Sequence, residues 1–212
     1  LRVIWNSWSL LRFQEKGGFQ YSNFFLSVLW KSALKEVSGC RVVNCFQLVP
    51  KTLINNPTIE LWFNIDQTLL QLYDGYGDRK FIGKRVASSS IILETLGYNK
   101  AKKIIVHSKW CRNSLVNDYG ISEKKIIVIL PGANLDEDLY QLWADKRKID
   151  KNNSNTETLK LVFIGKHPKR KGLDRLIYAF RIVSELGYPI SLRVIGCNKD
   201  DLDIDIPNSK YD

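Results

Sequence analysis

The 212-residue chain is 44% hydrophobic and 25% charged, the composition of an ordinary globular protein with enough length for one large domain or parts of two. Its formal charge of +10 favours an anionic partner such as a nucleotide, a phosphorylated lipid, an anionic membrane surface or nucleic acid, although scattered lysines equally suit a merely solvated surface. Cys40, Cys45, Cys111 and Cys197 form no CxxC pair and only two histidines are present, so a zinc site and a disulfide framework are disfavoured; reduced, mostly buried thiols in a cytosolic protein are expected.

The apolar run at 24–30 is too short to span a bilayer, and no secretory signal is visible. With no methionine anywhere, the sequence is expected to be processed, trimmed or partial. Helical spacing predicts a helix over 22–37, capped by Ser22 or Asn23, with Gly39 just beyond its end. The runs 41–48 and 59–66 are rich in β-formers and bounded by turn residues, so both predict strands. A second helix is expected over 78–96, stopped near Gly97.

The clearest stretch follows. KKIIVHS (102–108) predicts a buried strand, Ser108 caps a helix, and Gly120 closes it in the left-handed conformation that a residue without Cβ takes easily. The run 124–134 predicts another buried strand ending in a Pro-Gly turn. Composition then changes: 145–158 carries almost no apolar residue and predicts an exposed connector, poorly ordered or extended. A fresh βαβ pattern begins after it, with strand 159–165, helix 173–186 and strand 189–196. Alternating strands and helices predict an α/β protein with parallel strands, in three parts: 1–140, a linker at 141–158, and the start of a second domain at 159–212.

The segment most suggestive of chemistry is VFIGKHPKRKGLD (162–174). A strand ends at Gly165, the loop is strongly basic, and Gly172 opens a helix. Ligands in open α/β sheets bind at the carboxyl ends of strands, and helix amino termini suit phosphate. Glycines at both loop ends let the backbone approach a ligand, while Lys166 and Lys171 add point charges. On composition alone, a solvated basic turn is the leading reading of this loop. His107 reads first as strand-end packing and second as an acid or base. His167 reads first as a loop residue and second as a phosphate contact. KGG at 16–18 is a weak candidate for a glycine loop. The aromatic cluster of Trp5, Trp8, Phe13, Phe19, Tyr21, Phe24, Phe25 and Trp30 reads first as packing and second as a membrane- or lipid-facing surface.

FIGKHPKRKGLDRLIYAFRIVSELG resembles the unit that opens the C-terminal domain of family 4 (group 1) glycosyltransferases, where a G-R…K-G signature faces the donor diphosphate. Upstream, AKKIIVHSKWCRNSLVNDYGISEKKIIVILPGANLDE is similar to the last βαβ of that family's N-terminal domain. The resemblance covers about residues 100–197, and 59–100 more weakly. It implies a GT-B-like fold of two Rossmann-like domains, both incomplete in this chain: an acceptor-side domain over 1–140 and a nucleotide-sugar domain beginning at 159. The implied activity is sugar transfer from a nucleotide diphosphate donor to a glycan, lipid or small-molecule acceptor, with retention and no obligatory metal or cofactor. Gly165, Lys166, Lys171 and Gly172 take the diphosphate positions, Lys166 standing where the family has Arg. Asp66 takes the aspartate position of a cleft-facing His-Asp pair, with Ile65 in place of the His, and reads equally as a catalytic or an Asx-capping residue. The family's glutamate pair has no counterpart up to Asp212, so this chain alone is expected to be inactive. A cytoplasmic location, with peripheral contact at the inner face of a membrane, goes with this reading. The rival is a non-catalytic basic domain binding nucleic acid or another anionic surface; the glycosyltransferase reading expects no nucleic acid.

Overall fold

The β-rich runs of the first half become the strands of one parallel sheet, and the apolar spacings between them become the helices that cover it. In this computed structural model, residues 1–37, 39–75, 82–132, 136–153 and 158–197 are described, the side chains of 147–153 excepted. The chain divides into two compact units, Leu1–Ala133 and Asn134–Asp212.

The first unit begins with helices α1 (Arg2–Phe13) and α2 (Asn23–Trp30), followed by β1 (Arg41–Asn44), α3 (Lys51–Ile54) and β2 (Glu60–Ile65). Helices α4 (Leu69–Gly75) and α5 (Lys84–Lys100) lead to β3 (Lys103–Val106), and α6 (Lys109–Asn117) leads to β4 (Ile126–Val128). The four strands lie in the order β1-β2-β3-β4, all parallel. Stepping in one direction by right-handed crossovers puts the connecting helices on one side of the sheet. Burial follows that rule. Leu61, Phe63, Ile65, Ile104 and Val106 join Leu53 of α3, Tyr98 of α5, and Cys111 and Leu115 of α6 in one core cluster. The opposite face, with Val43 exposed and Trp62, Asn64 and Ile105 half-buried, lies outside that core. Strand β3 is therefore buried on one face, not on both as its sequence predicts.

Several boundaries differ from the sequence-based expectation for physical reasons. The Phe25 N–H donates to Ser22 Oγ at 3.2 Å, so the cap of α2 forms, but the helix ends at Trp30 and a 3₁₀ turn over Ala33–Lys35 follows. Strand β1 stops at Asn44, whose side-chain amide donates to Phe46 O (2.5 Å) and Leu48 O (3.3 Å) and turns the chain into a loop. Helix α5 does not stop at Gly97. A Cβ there would stand 3.1 Å from Phe63 Cζ, so this glycine serves close helix-to-sheet packing and the helix continues to Lys100. The beginning expected for that helix, 78–81, lies outside the described residues. The thiols of Cys40 and Cys45, beside the edge strand β1, are exposed, contrary to expectation for two of the four cysteines; all four are free.

The second unit holds α7 (Glu137–Asn153), β5 (Leu159–Ile164), α8 (Pro168–Lys171), α9 (Leu173–Glu185) and β6 (Ile190–Ile195). Strands β5 and β6 pair in parallel, from Leu159 with Ile190 to Ile164 with Ile195. Leu173, Ile177 and Phe180 fall on one helical stripe of α9 and pack against Ile190 and Leu192. Where composition predicts an extended linker at 141–158, the chain is helical as far as Asn153. Charge order explains this. Glu137 and Asp138 occupy the first turn, and neither Gly nor Pro interrupts the run. Gln141 Nε2 also donates to Glu137 Oε1 at 3.0 Å, an i,i+4 contact of the kind that stabilises exposed helices. Both sheets together give a parallel α/β architecture compatible with Rossmann-like folds, and no helix among the described residues is long and apolar enough to cross a membrane.

Gly18, at φ +81°, is pressed against α5, and a Cβ there would lie 2.7 Å from Ile82 Cγ2. Gly18→Ala is expected to lower stability by about 2 kcal/mol from left-handed strain and overpacking together, measurable as a fall in the urea midpoint.

Candidate functional site

The glycine that ends β5 sits beside the glycine that ends β6. Gly165 N donates to Ile195 O at 2.9 Å, and a Cβ on Gly196 would meet the Gly165 backbone at 3.2 Å. The missing side chains therefore let the ends of the two strands pack closely at the carboxyl edge of this sheet, the edge where open α/β sheets bind ligands. Gly196 was not singled out by the sequence reading. Its signal was the repeated ending, FIG at 163–165 and VIG at 194–196, on two adjacent parallel strands.

The basic loop is more structured than its composition implies. Pro168 starts the single turn α8, where its fixed φ and missing N–H cost nothing. Lys171 N returns to His167 O at 2.9 Å, closing that turn. Gly172 then adopts φ +78° and hands the chain to α9, so it both ends α8 and caps α9. The Lys171 stem packs against Gly165: its Cγ would lie 3.3 Å from a Cβ there. Lys166, His167 and Lys171 are exposed. Of the sequence-nominated residues, Gly165 and Lys171 are brought together directly, and Gly172 follows Lys171 at the start of α9. Asp174 occupies the first turn of α9, where its charge complements the helix dipole and opposes an anion at that terminus. The positive charge at this edge therefore comes from the loop lysines. A shallow groove lined by Thr158, Lys160, Val183 and Tyr188 lies at the opposite, amino ends of these strands.

In the first unit, Asp66 ends β2 and is exposed. Ile65, standing where the resemblance calls for a histidine, is 2% exposed and belongs to the core face, so alternation points its side chain away from Asp66. Asn64 lies on the sheet's open face near its carboxyl edge, and His107 at the end of β3 pairs with it, Nε2 to Oδ1 at 2.9 Å. His107 is thus held by a neighbouring strand. The KGG turn at 16–18 follows α1 and not a strand; Gly18 is buried against Val86, a packing role without the strand-to-helix geometry of a phosphate loop.

Beneath the loop that carries Asp66 lies a polar network the sequence reading missed. Glu94 of α5 is 1% exposed, and its carboxylate accepts from Leu69 N (2.9 Å), Tyr98 Oη (2.6 Å) and Tyr119 Oη. Tyr119 Oη in turn accepts from Leu70 N at 3.2 Å. Thr68 Oγ1 lies 2.9 Å from Ser114 Oγ, which donates to Asp118 Oδ2 at 2.6 Å, and Gln71 Nε2 donates to Trp110 O at 2.9 Å. Together these bonds fasten the beginning of α4 to α5 and α6. Burial pushes the Glu94 carboxyl up to about 7, against the pull of its three donors. Burial and the adjoining Glu94 push both tyrosines upward, and burial followed by Asp66 raises the Cys111 thiol to about 12, which leaves it inert. A sequence signal existed in the i,i+4 spacing of Glu94 and Tyr98, but nothing local identified Tyr119 as the third member.

Among the described residues, no group of three His, Cys, Asp or Glu side chains is placed to hold a metal ion. Comparison with protein-family models and with curated proteins finds no match for the chain.

Glu94 makes stability depend on pH in a defined direction. Its carboxyl titrates near 4.5 when unfolded and at about 7 when folded, so the folded protein holds the extra proton between those values. Its contribution is complete below the unfolded value and declines as pH rises through 7, by roughly 3 kcal/mol in all. Urea unfolding at about pH 5 and about pH 8 should show this decline, and Glu94→Gln, which cannot titrate, should abolish that part of it.

Proposed function

We propose that the chain contributes to a retaining, nucleotide-sugar-dependent glycosyltransferase built from two Rossmann-like domains of the GT-B type, with the donor diphosphate bound at the carboxyl edge of β5 and β6. The observation that carries this reading is the placement of exposed Lys166 and Lys171 at the carboxyl edge of β5, with the Lys171 stem packed against Gly165. A diphosphate needs concentrated positive charge at a strand-end position, and these lysines supply it. The resemblance of residues 100–197 to family 4 glycosyltransferases supports the same reading.

In the transfer, the bond between the anomeric carbon and the diphosphate breaks, its electron pair leaves on the phosphate oxygen, and an acceptor hydroxyl bonds to the carbon on the same face. The departing diphosphate takes up the acceptor proton. Lys166 and Lys171 act where negative charge grows, on the leaving oxygens, a role that preorganised charge fills without an obligatory metal. Lys166 provides a point charge where the family has a guanidinium fork, so it neutralises phosphate but does not grip it bidentately. Asp66, exposed at the end of β2, is proposed as a contact for a sugar hydroxyl.

Titration of the chain with uridine and guanosine diphosphates, followed by calorimetry, tests the site. Lys171→Ala should weaken binding by about tenfold, the effect of removing one charge-assisted contact. Lys166→Arg should hold or improve it. In a transferring enzyme that contains this chain, Lys171→Ala should cost about 2–4 kcal/mol of transition-state stabilisation, mainly in turnover. Unchanged diphosphate binding in Lys171→Ala would reduce the basic loop to a solvated turn.

A further inference from the structure

Helix α1 is turned inside out. Ser9, a polar residue, is its buried position, and Asn6 Oδ1 accepts from Gly17 N at 3.4 Å. Trp5 packs on Phe19 with ring centroids 5.6 Å apart. The outward side carries Ile4, Trp8 and Leu11, at i, i+4 and i+7, which are 71%, 53% and 88% exposed. Val3 and Leu10 flank this stripe and are exposed as well. Phe19 also lies against Phe24 and Phe25, and α2 adds Phe24, Val28 and Leu29 as further exposed apolar residues. Five large apolar residues exposed along one side of a short helix mark a place of association.

Charge indicates what kind. Neither α1 nor α2 contains an acidic residue, whereas exposed Arg2 and Arg12 sit near the two ends of α1, with Lys16 after it and Lys31 after α2. The nearby Glu15 carboxylate is occupied by Arg85 N at 3.0 Å. A second copy docking on the same face would set this cationic rim against its own like. An anionic surface would complement it. A helix of 12 residues is too short to cross a bilayer, but it suits an interfacial position with Trp, Ile and Leu among the acyl chains and Arg at the headgroups. We propose that the outward face of α1, extended by Phe24, Val28 and Leu29 of α2, is a docking surface for an anionic lipid bilayer. This stands independently of the transferase reading, because it uses none of the residues assigned to the diphosphate.

Co-sedimentation of the full chain with vesicles tests it, comparing phosphatidylcholine alone with an equal mixture of phosphatidylcholine and phosphatidylglycerol at low salt. The chain should bind the mixed vesicles, bind phosphatidylcholine weakly, and dissociate in part as salt rises. Ile4→Glu combined with Leu11→Glu should weaken binding by about tenfold or more. Because both residues are highly exposed, the circular dichroism spectrum and urea midpoint should stay unchanged, which separates lost docking from lost folding. Arg2→Glu with Arg12→Glu should reduce binding to the anionic vesicles alone. Absence of binding to the mixed vesicles would overturn the proposal, as would undiminished binding by the Ile4→Glu, Leu11→Glu variant. A wild-type dimer dissolved by that variant would overturn it too, assigning the face to a second copy.

Discussion

Neighbouring parallel strands cannot be joined by a tight turn; the chain must travel back over the sheet before it can start the next strand, and it does so right-handedly. When strands are laid down in the simple order β1-β2-β3-β4, each crossover repeats the last, and the helices collect on one face. Much of the first unit follows from that constraint. It places Tyr98, Cys111 and Leu115 in one core with Phe63 and Ile104, and it leaves the reverse face without helices from these crossovers. It also brings every loop after a strand to one edge, which is why Asp66 and His107, distant in sequence, emerge on adjacent strands.

An edge assembled from loops needs something rigid beneath it. In the first unit that support is a buried polar network, not more apolar packing. Helix α4 begins right after the turn at Gln67 and Thr68, and its first backbone N–H groups have no partner within the helix. Leu69 N and Leu70 N find theirs in Glu94 and in the Tyr119 hydroxyl. The cost of burying a carboxylate is offset by three donors converging on it, and the residual penalty shows as its raised pKa. Removing one donor would leave a buried acceptor short of a partner, so this cluster ties the loop to α5 and α6 more strictly than apolar contacts of similar size would.

Local signals proved legible where they acted locally. The cap at Ser108, whose Oγ accepts from Cys111 N at 3.1 Å, and the left-handed Gly120 at φ +66° both form as the sequence indicates. The strand-helix-strand run from Leu159 to Ile195 was equally readable, since each element carries its own apolar period. What escaped depended on partners remote in sequence. Gly97 looks like a helix stop until Phe63 is seen beneath it. The helix α7 hides in a polar run because its stability comes from charge order and backbone propensity, neither of which an apolar count detects. For the candidate site, the lysines and glycines of 165–172 were evident, whereas Gly196 gains its meaning only from lying against Gly165, and the Glu94 network only from the meeting of α4, α5 and the end of α6.

The open faces of the two sheets differ in chemistry, and the difference bears on what each can tolerate. On the first, Arg41 and Lys102 both reach Glu60 at 2.5 Å, which holds its carboxyl down near 2, with Lys102 the stronger influence. Arg41 also lies over the Trp62 ring at 5.1 Å, whose Nε1–H donates to Glu60 at 3.0 Å, and Asn64 pairs with His107. Trp62 and Asn64 on that face thus have polar contacts or a cationic cover, while Val43 and Ile105 beside them are aliphatic. On the second sheet exposed Val162, Ile164 and Ile195 share the open face with Lys160, Ser191 and Arg193. Among the described residues, the second unit packs one small cluster of Leu173, Ile177, Phe180, Ile190 and Leu192, while the first sheet is covered by helices from every crossover. The candidate diphosphate site lies on the second sheet. Its geometry rests on the backbone bond from Gly165 to Ile195 and on the turn of α8, not on a deep core.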